Sequence, residues 1–261
     1  MDAVPFFSGF ASQIPSLLIS LPVILLALSV HETAHGFVAL KLGDPTARNL
    51  GRLTLNPLKH IDIIGFLCML LFHFGWANPV PINTRNFKKP RRDMALTGLA
   101  GPVSNVLMAI LSVLLLRLLL LIAIPLCGED VQVVQAAYLS GEAYTVSARF
   151  VVFSILAYML YLGMILNLSY ALFNLIPIPP LDGSRIFYVF LPSKWYFGLM
   201  KYERIIAVVM LIGLWTGIIT LPLNWAISGI SGGLMHLTGM ASGSETYRAL
   251  SWMMYHINSF I

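Results

Sequence analysis

The stretch Ile24-Leu25-Leu26-Ala27-Leu28-Ser29-Val30-His31-Glu32-Thr33-Ala34-His35-Gly36-Phe37-Val38-Ala39-Leu40 decides how the rest of the chain is read. It lies in an apolar run from Ile14 to Leu40, long enough for a spanning helix, which needs about 20 mostly apolar residues. Yet it carries two imidazoles and a carboxylate. Residues four apart in a helix share a face, one turn above the other, so His31 and His35 can grip one zinc ion. Glu32 lies about 100° round the helix from His31, where it can reach the water such an ion activates. Zinc lowers the pKa of that water towards neutrality and polarises a carbonyl. A glutamate so placed takes the water's proton and later passes it to a leaving amine. A charged side chain at the centre of a spanning helix costs roughly 2.5–3.5 kcal/mol on insertion scales. A metal site, or a proton or ion pathway, must offset that cost, which argues against chance occurrence.

The composition agrees with a lipid solvent. Of 261 residues, 58% are hydrophobic and 10% charged, where soluble domains carry about 25% charged residues. No second compositional regime appears, so the reading is one membrane domain over 1–261, with its core at about 14–190 and a C-terminal span and tail at 205–261. Further spans are expected at Leu96–Leu126, Phe150–Ile176 and Ile205–Ile227. Ile61–Trp76 is apolar but short, which suits a re-entrant or interfacial element. Beyond Ser228 the chain is first rich in Gly and Ser, and Leu250–Ile261 reads as an interfacial helix. The fold class is all-α and polytopic. Met1–Gln13 lacks the basic lead-in of a cleaved signal peptide. Cys68 and Cys127 make neither a disulfide framework nor a paired metal motif. The net charge of +5 is not gathered on a polar surface with interleaved aromatics, so nucleic acid is not an expected partner.

Lys and Arg in short loops set orientation. Nine lie between Lys41 and Arg92, and Arg185, Lys194, Lys201 and Arg204 follow the third span. Cys127–Ala148 has none, but carries Glu129, Asp130 and Glu142. The basic loops are therefore expected in the cytoplasm and the N-terminus outside. Arg117, near the external end of its span, is expected to snorkel to the interface. Counting back from Gly43, His35 lies eight residues in and His31 twelve. At about 1.5 Å per residue the pair sits roughly 12–18 Å below the cytoplasmic boundary, inside a hydrocarbon core about 30 Å thick.

Two histidines leave zinc short of a third protein ligand. His60, His73, His236, His256 and the acidic residues are candidates, and Asp182 stands out. It closes the segment Asn174-Leu175-Ile176-Pro177-Ile178-Pro179-Pro180-Leu181-Asp182-Gly183 after a span without charge. Three prolines break the helix there, and irregular backbone at membrane depth survives only in protein or beside a wet cavity. Gly183 permits a turn closed to other residues. On local sequence Asp182 reads equally as a ligand or as part of an interfacial turn. His60 and His73 read as interfacial, and Gly98 and Gly101 as close helix packing.

The HETAH motif, the NLIPIPPLDG segment and the intervening Gly98-Leu99-Ala100-Gly101-Pro102-Val103-Ser104-Asn105 resemble the site-2 protease family of intramembrane metalloproteases. The resemblance covers roughly Leu28–Arg185, including that family's three-helix core. It implies hydrolysis of a partner's transmembrane segment within the bilayer. It also implies one zinc ion held by His31, His35 and Asp182, with Glu32 catalytic. Asn105 and Asn174 fall in motifs lining the family's active-site region and are the expected substrate-binding residues, although an asparagine in a span often only hydrogen-bonds a neighbouring helix. Asn78–Asn83 resembles an extended stretch near the cleft, where an unwound substrate could add as a strand. Two alternatives stay open: an ion or proton transporter using His31, Glu32, His35 and Asp182 as a relay, and a catalytically silent relative. Intact Glu32 argues against the second, and the lack of repeated halves against the first.

Overall fold

The computed structural model describes residues 5–72, 75–190, 198 and 201–259; His73 lies outside them. Nine α-helices are described: α1 (Pro5–Lys41), α2 (Thr46–Asn49), α3 (Ile63–Phe72), α4 (Pro90–Ser140), α5 (Ala148–Asn174), α6 (Asp182–Phe187), α7 (Glu203–Trp215), α8 (Thr220–Leu237) and α9 (Glu245–Asn258). Single 3-10 turns lie at Pro57–Lys59 and Thr84–Asn86. The described residues form no strand, only an isolated antiparallel bridge between Ile61 and Ala77. Pro15–Lys41, α4 and α5 are long and apolar enough to cross a membrane, and α7 with α8 forms a further candidate bent by 68°. The chain is an all-α polytopic protein.

Helix faces follow from spacing. In α4, Ala109, Val113, Leu116, Leu120 and Ala123 are wholly or almost wholly buried, while Leu107, Leu111, Leu114, Leu118 and Leu121 are exposed. The first set recurs at three and four residues, one helical stripe against protein. The second faces outward, where lipid makes an exposed leucine costless. The bridge between Ile61 and Ala77 brings together the chain on either side of α3, and Asn78 N–H donates to His60 O (2.8 Å). That pairing closes the chain into a hairpin around α3, in keeping with a re-entrant or interfacial element.

Three expectations need correction. The second span does not end at Leu126. Helix continues to Ser140 past a break at Cys127 (φ −129°, ψ 16°), because Val134 and Ala137 still find buried positions. Most of the acidic stretch is thus helical, and Cys127 is buried. The fourth span is not continuous: Gly217, at φ +85°, takes the left-handed conformation that closes α7. The stretch after Ser228 is helical to Leu237, and the last helix begins at Glu245, capped by Ser244 accepting from Tyr247 N–H (3.1 Å). Its inner face carries Thr246, Ala249, Leu250, Met253, His256 and Ile257.

The chain forms two compact units. One comprises Met1–Ile24, Ala109–Ile165 and Ile230–Ile261; the other comprises Leu25–Met108 and Leu166–Gly229. In the first, the Arg117 guanidinium lies against Gly239, and Asp130 receives Ser147 N–H (2.9 Å) and its hydroxyl (2.7 Å) at the start of α5. Every residue of the metal centre belongs to the second.

Candidate metal centre

His31 and His35 lie one turn apart on α1, 5% and 4% exposed. The broken segment after α5 turns back and starts α6 at Asp182, which is buried. Two glycines let this happen. A Cβ on Gly183 would collide with the carbonyls of Leu175 and Ile176. A Cβ on Gly98 would lie 3.3 Å from Asp182 O and 3.1 Å from Arg185 Cβ. Gly183 thus serves close backbone approach within a helical turn rather than a special φ, and Gly98 packs as expected.

Asp182 Oδ2 lies 3.1 Å from His31 Nε2 and 3.0 Å from His35 Nε2, and the two Nε2 atoms are 3.0 Å apart. The other carboxylate oxygen, Oδ1, faces Arg185 Nη1 at 3.6 Å. The far sides of the rings decide what the cluster is for. His31 Nδ1–H donates to Asn105 Oδ1 (2.5 Å), and His35 Nδ1–H donates to Thr97 O (2.7 Å). An Nδ1 facing a carbonyl oxygen keeps its hydrogen, so each neutral ring turns a bare Nε2 lone pair inward. With both rings neutral, two imidazole lone pairs and a carboxylate converge on one point. A cation satisfies that set, and two nitrogens with one oxygen suit zinc. Among the described residues these three form a metal-capable group. Gly101 leaves the space: a Cβ there would fall 2.6 Å from His31 Nε2 and closer still to His35 Nε2. Close helix packing does not describe Gly101, whose missing side chain makes room for the imidazoles.

Glu32 is 9% exposed, on an adjacent face of α1. Its Oε2 accepts from Val80 N–H (2.8 Å). Gly36, one turn on, lets the irregular segment close: its Cβ would meet Ala47, Val80 and Leu53 at 3.2–3.3 Å. Asp44 anchors the same segment, accepting from Asn83 N–H and the Asn86 side-chain amide, both at 2.7 Å, and from Thr46.

Asn105 is fully buried and belongs to the cluster through His31. Asn174 does not reach it: its amide donates to Tyr170 O (3.0 Å) within α5. His60 is fully buried, and its Nε2–H donates to Thr54 O (2.7 Å), away from the metal cluster. Asn167, whose Oδ1 accepts from Asn105 Nδ2 (2.7 Å), is absent from the sequence-derived set. The available signal was an amide on the stripe of α5 marked by Met164, Leu168 and Ala171, all buried.

The family model of peptidase family M50 matches residues 19–220. The chain belongs to that family. M50 is the site-2 protease family, and the chain is a zinc metalloprotease of that type in a membrane. Membership decides against the transporter alternative. A candidate zinc metalloprotease of Bacillus subtilis, YwhC, is 41% identical over 175 residues, 67% of this chain and 68% of that one. Another, Rip2 of Mycolicibacterium smegmatis, is 29% identical over 163 residues, 61% of this chain and 52% of that one. This chain's match thus spans about half of Rip2. No solved structure matches this M50 chain.

Proposed function

We propose that this M50 protein is an intramembrane endopeptidase that cuts peptide bonds in or near transmembrane segments of membrane proteins, with residues 1–261 acting as one protease domain. The single observation that carries the site is the convergence of the two Nε2 atoms and the Asp182 carboxylate, each ring held at Nδ1 by an oxygen.

His31, His35 and Asp182 would hold one zinc ion. Bound zinc supplies Lewis acidity to a peptide carbonyl and acidifies water. Glu32 takes the proton of the attacking water at a carboxylate oxygen and returns it to the leaving amine. Val80 N–H holds that carboxylate in place. The carbonyls of Val80, Pro81 and Ile82 accept no hydrogen bond from the described residues. An unwound substrate can donate its backbone N–H groups to them, as in edge addition. Substrate must unwind, because a helix hides its peptide groups in its own hydrogen bonds. Of the two asparagines expected to bind substrate, Asn105 has both ends of its amide engaged, and Asn174 keeps an amide oxygen that could accept from substrate while its nitrogen donates to Tyr170 O. The loop bias in Lys and Arg supports a site that faces the cytoplasm.

Glu32→Gln tests the reading, because glutamine can still accept from Val80 N–H and only proton transfer is lost. The variant should keep zinc while cleavage of a model transmembrane substrate falls by on the order of 10²–10⁴-fold. His31→Ala, His35→Ala and Asp182→Ala should each lose zinc. Full cleavage by Glu32→Gln, or full zinc retention by the ligand variants, would overturn it.

A further inference from the structure

The two histidines are oriented by different means. His35 Nδ1 faces the main-chain carbonyl of Thr97, an acceptor that cannot turn round. His31 Nδ1 faces a side-chain amide, which has nearly the same shape after a 180° flip. With its oxygen forward, Asn105 keeps hydrogen on His31 Nδ1 and leaves Nε2 bare. With its nitrogen forward, it would demand a bare Nδ1, move the hydrogen to Nε2, and point an N–H bond at the cluster. The second tautomer cannot ligate a metal through Nε2. Asn105 alone does not choose between them.

The choice is made one residue further out. Asn105 Nδ2 lies 2.7 Å from Asn167 Oδ1 and 3.4 Å from Ala27 O. Both are oxygens, and both asparagines are almost wholly buried. A flipped Asn105 would set its oxygen against the Ala27 carbonyl, which cannot turn, and, with the Asn167 amide as it stands, against Asn167 Oδ1, leaving lone pairs facing lone pairs.

We propose that Asn167 is a positioning residue for zinc. It fixes the Asn105 amide, and so the His31 tautomer that turns its Nε2 lone pair to His35 and Asp182. This rests on reading that cluster as the zinc site. Asn167 itself touches neither metal nor substrate.

The test is zinc affinity, measured by chelator competition on the full chain in detergent. Asn167→Leu removes the accepting oxygen at similar size and should weaken zinc about 10–100-fold. Asn105→Asp supplies the control, because a carboxylate offers His31 an oxygen whichever way it turns. In that background Asn167→Leu should cost less than about twofold. An equal loss in both backgrounds would mean that Asn167 merely packs, and no loss in the wild-type background would mean that it does nothing for zinc; either overturns the proposal. If Asn167→Leu does not fold, Asn167→Asp decides. It keeps an accepting oxygen and must bind zinc within about twofold of wild type; a loss of about tenfold or more overturns the proposal. Failure of the underlying site would look different: the wild-type chain would bind no zinc, or Asp182→Ala would bind it as tightly.

Discussion

Gly101 shows how little room the site leaves. The methyl of Gly101→Ala would compete with both Nε2 atoms for the same volume. Overpacking of this kind costs about 1–3 kcal/mol. Taken up by rotation of the imidazoles, it should appear as roughly five- to 150-fold weaker zinc binding. Chelator competition on the purified variant measures this, and unchanged affinity would show that the rings are not held where the structure puts them. Asp182 illustrates a second residue-scale effect. One of its oxygens faces the imidazoles and the other Arg185, so the guanidinium orients the carboxylate. Arg185→Leu should weaken zinc by about tenfold or more without abolishing it, which the same titration resolves.

Among the elements, the irregular stretch from Ala77 to Asn83 matters most, since it brings Val80 N–H to Glu32. It is held from outside itself: Arg52 donates to the carbonyls of Asn78 (2.7 Å) and Pro79 (3.3 Å), and Asp44 takes Asn83 N–H. Burial pushes the Asp44 carboxyl up, but donors on Thr46, Asn86 and Asn83 outweigh it and hold the group below the ordinary carboxylate value. A carboxyl depressed by folding stabilises the folded state above its unfolded pKa, about 3.9. That contribution is lost as pH falls through the lower folded value. Asp44→Asn should cost about 1–3 kcal/mol at neutral pH. The gap between the two proteins should persist down to about pH 4 and then narrow. Thermal unfolding in detergent across that range gives the answer; a gap that widens towards acid would contradict the sign.

For the whole molecule, the proposed orientation and depth rest on the basic loops and the position of the histidines along α1. Cys127 is buried, so it does not report on sidedness. In a chain lacking both cysteines, an impermeant thiol reagent applied outside intact cells should label Glu142→Cys and not Lys88→Cys; the reverse would invert the orientation. If the site lies on the cytoplasmic side, as proposed, cleavage should fall in the cytoplasmic half of a substrate's transmembrane segment. Gly or Pro placed there should speed it, because they lower the cost of unwinding. Mass spectrometry of the products locates the cut. A cut in an extramembrane loop, indifferent to helix breakers, would remove the intramembrane reading and leave the zinc protease standing.

The residues with the highest cost of placement were legible from sequence. Two histidines and a glutamate in an apolar span have no bland explanation, since lipid penalises them unless a site compensates. Helical geometry then dictates which face they share. The long apolar runs of α1, α4 and α5 were equally plain, because length and hydropathy suffice for a span. What sequence could not decide depends on contacts between distant segments. Asp182 read as ligand or turn until tertiary folding carried it to the imidazoles across 151 positions. The break at Gly217 and the continuation past Cys127 turn on packing that no local pattern records. Gly101 read as helix packing, since a glycine's purpose is whatever approaches it. Asn105 and Asn167 were two polar residues in separate spans, and only folding set one amide against the other and both behind His31. Hydrogen-bond direction belongs to pairs, and the pairs exist only in the folded chain.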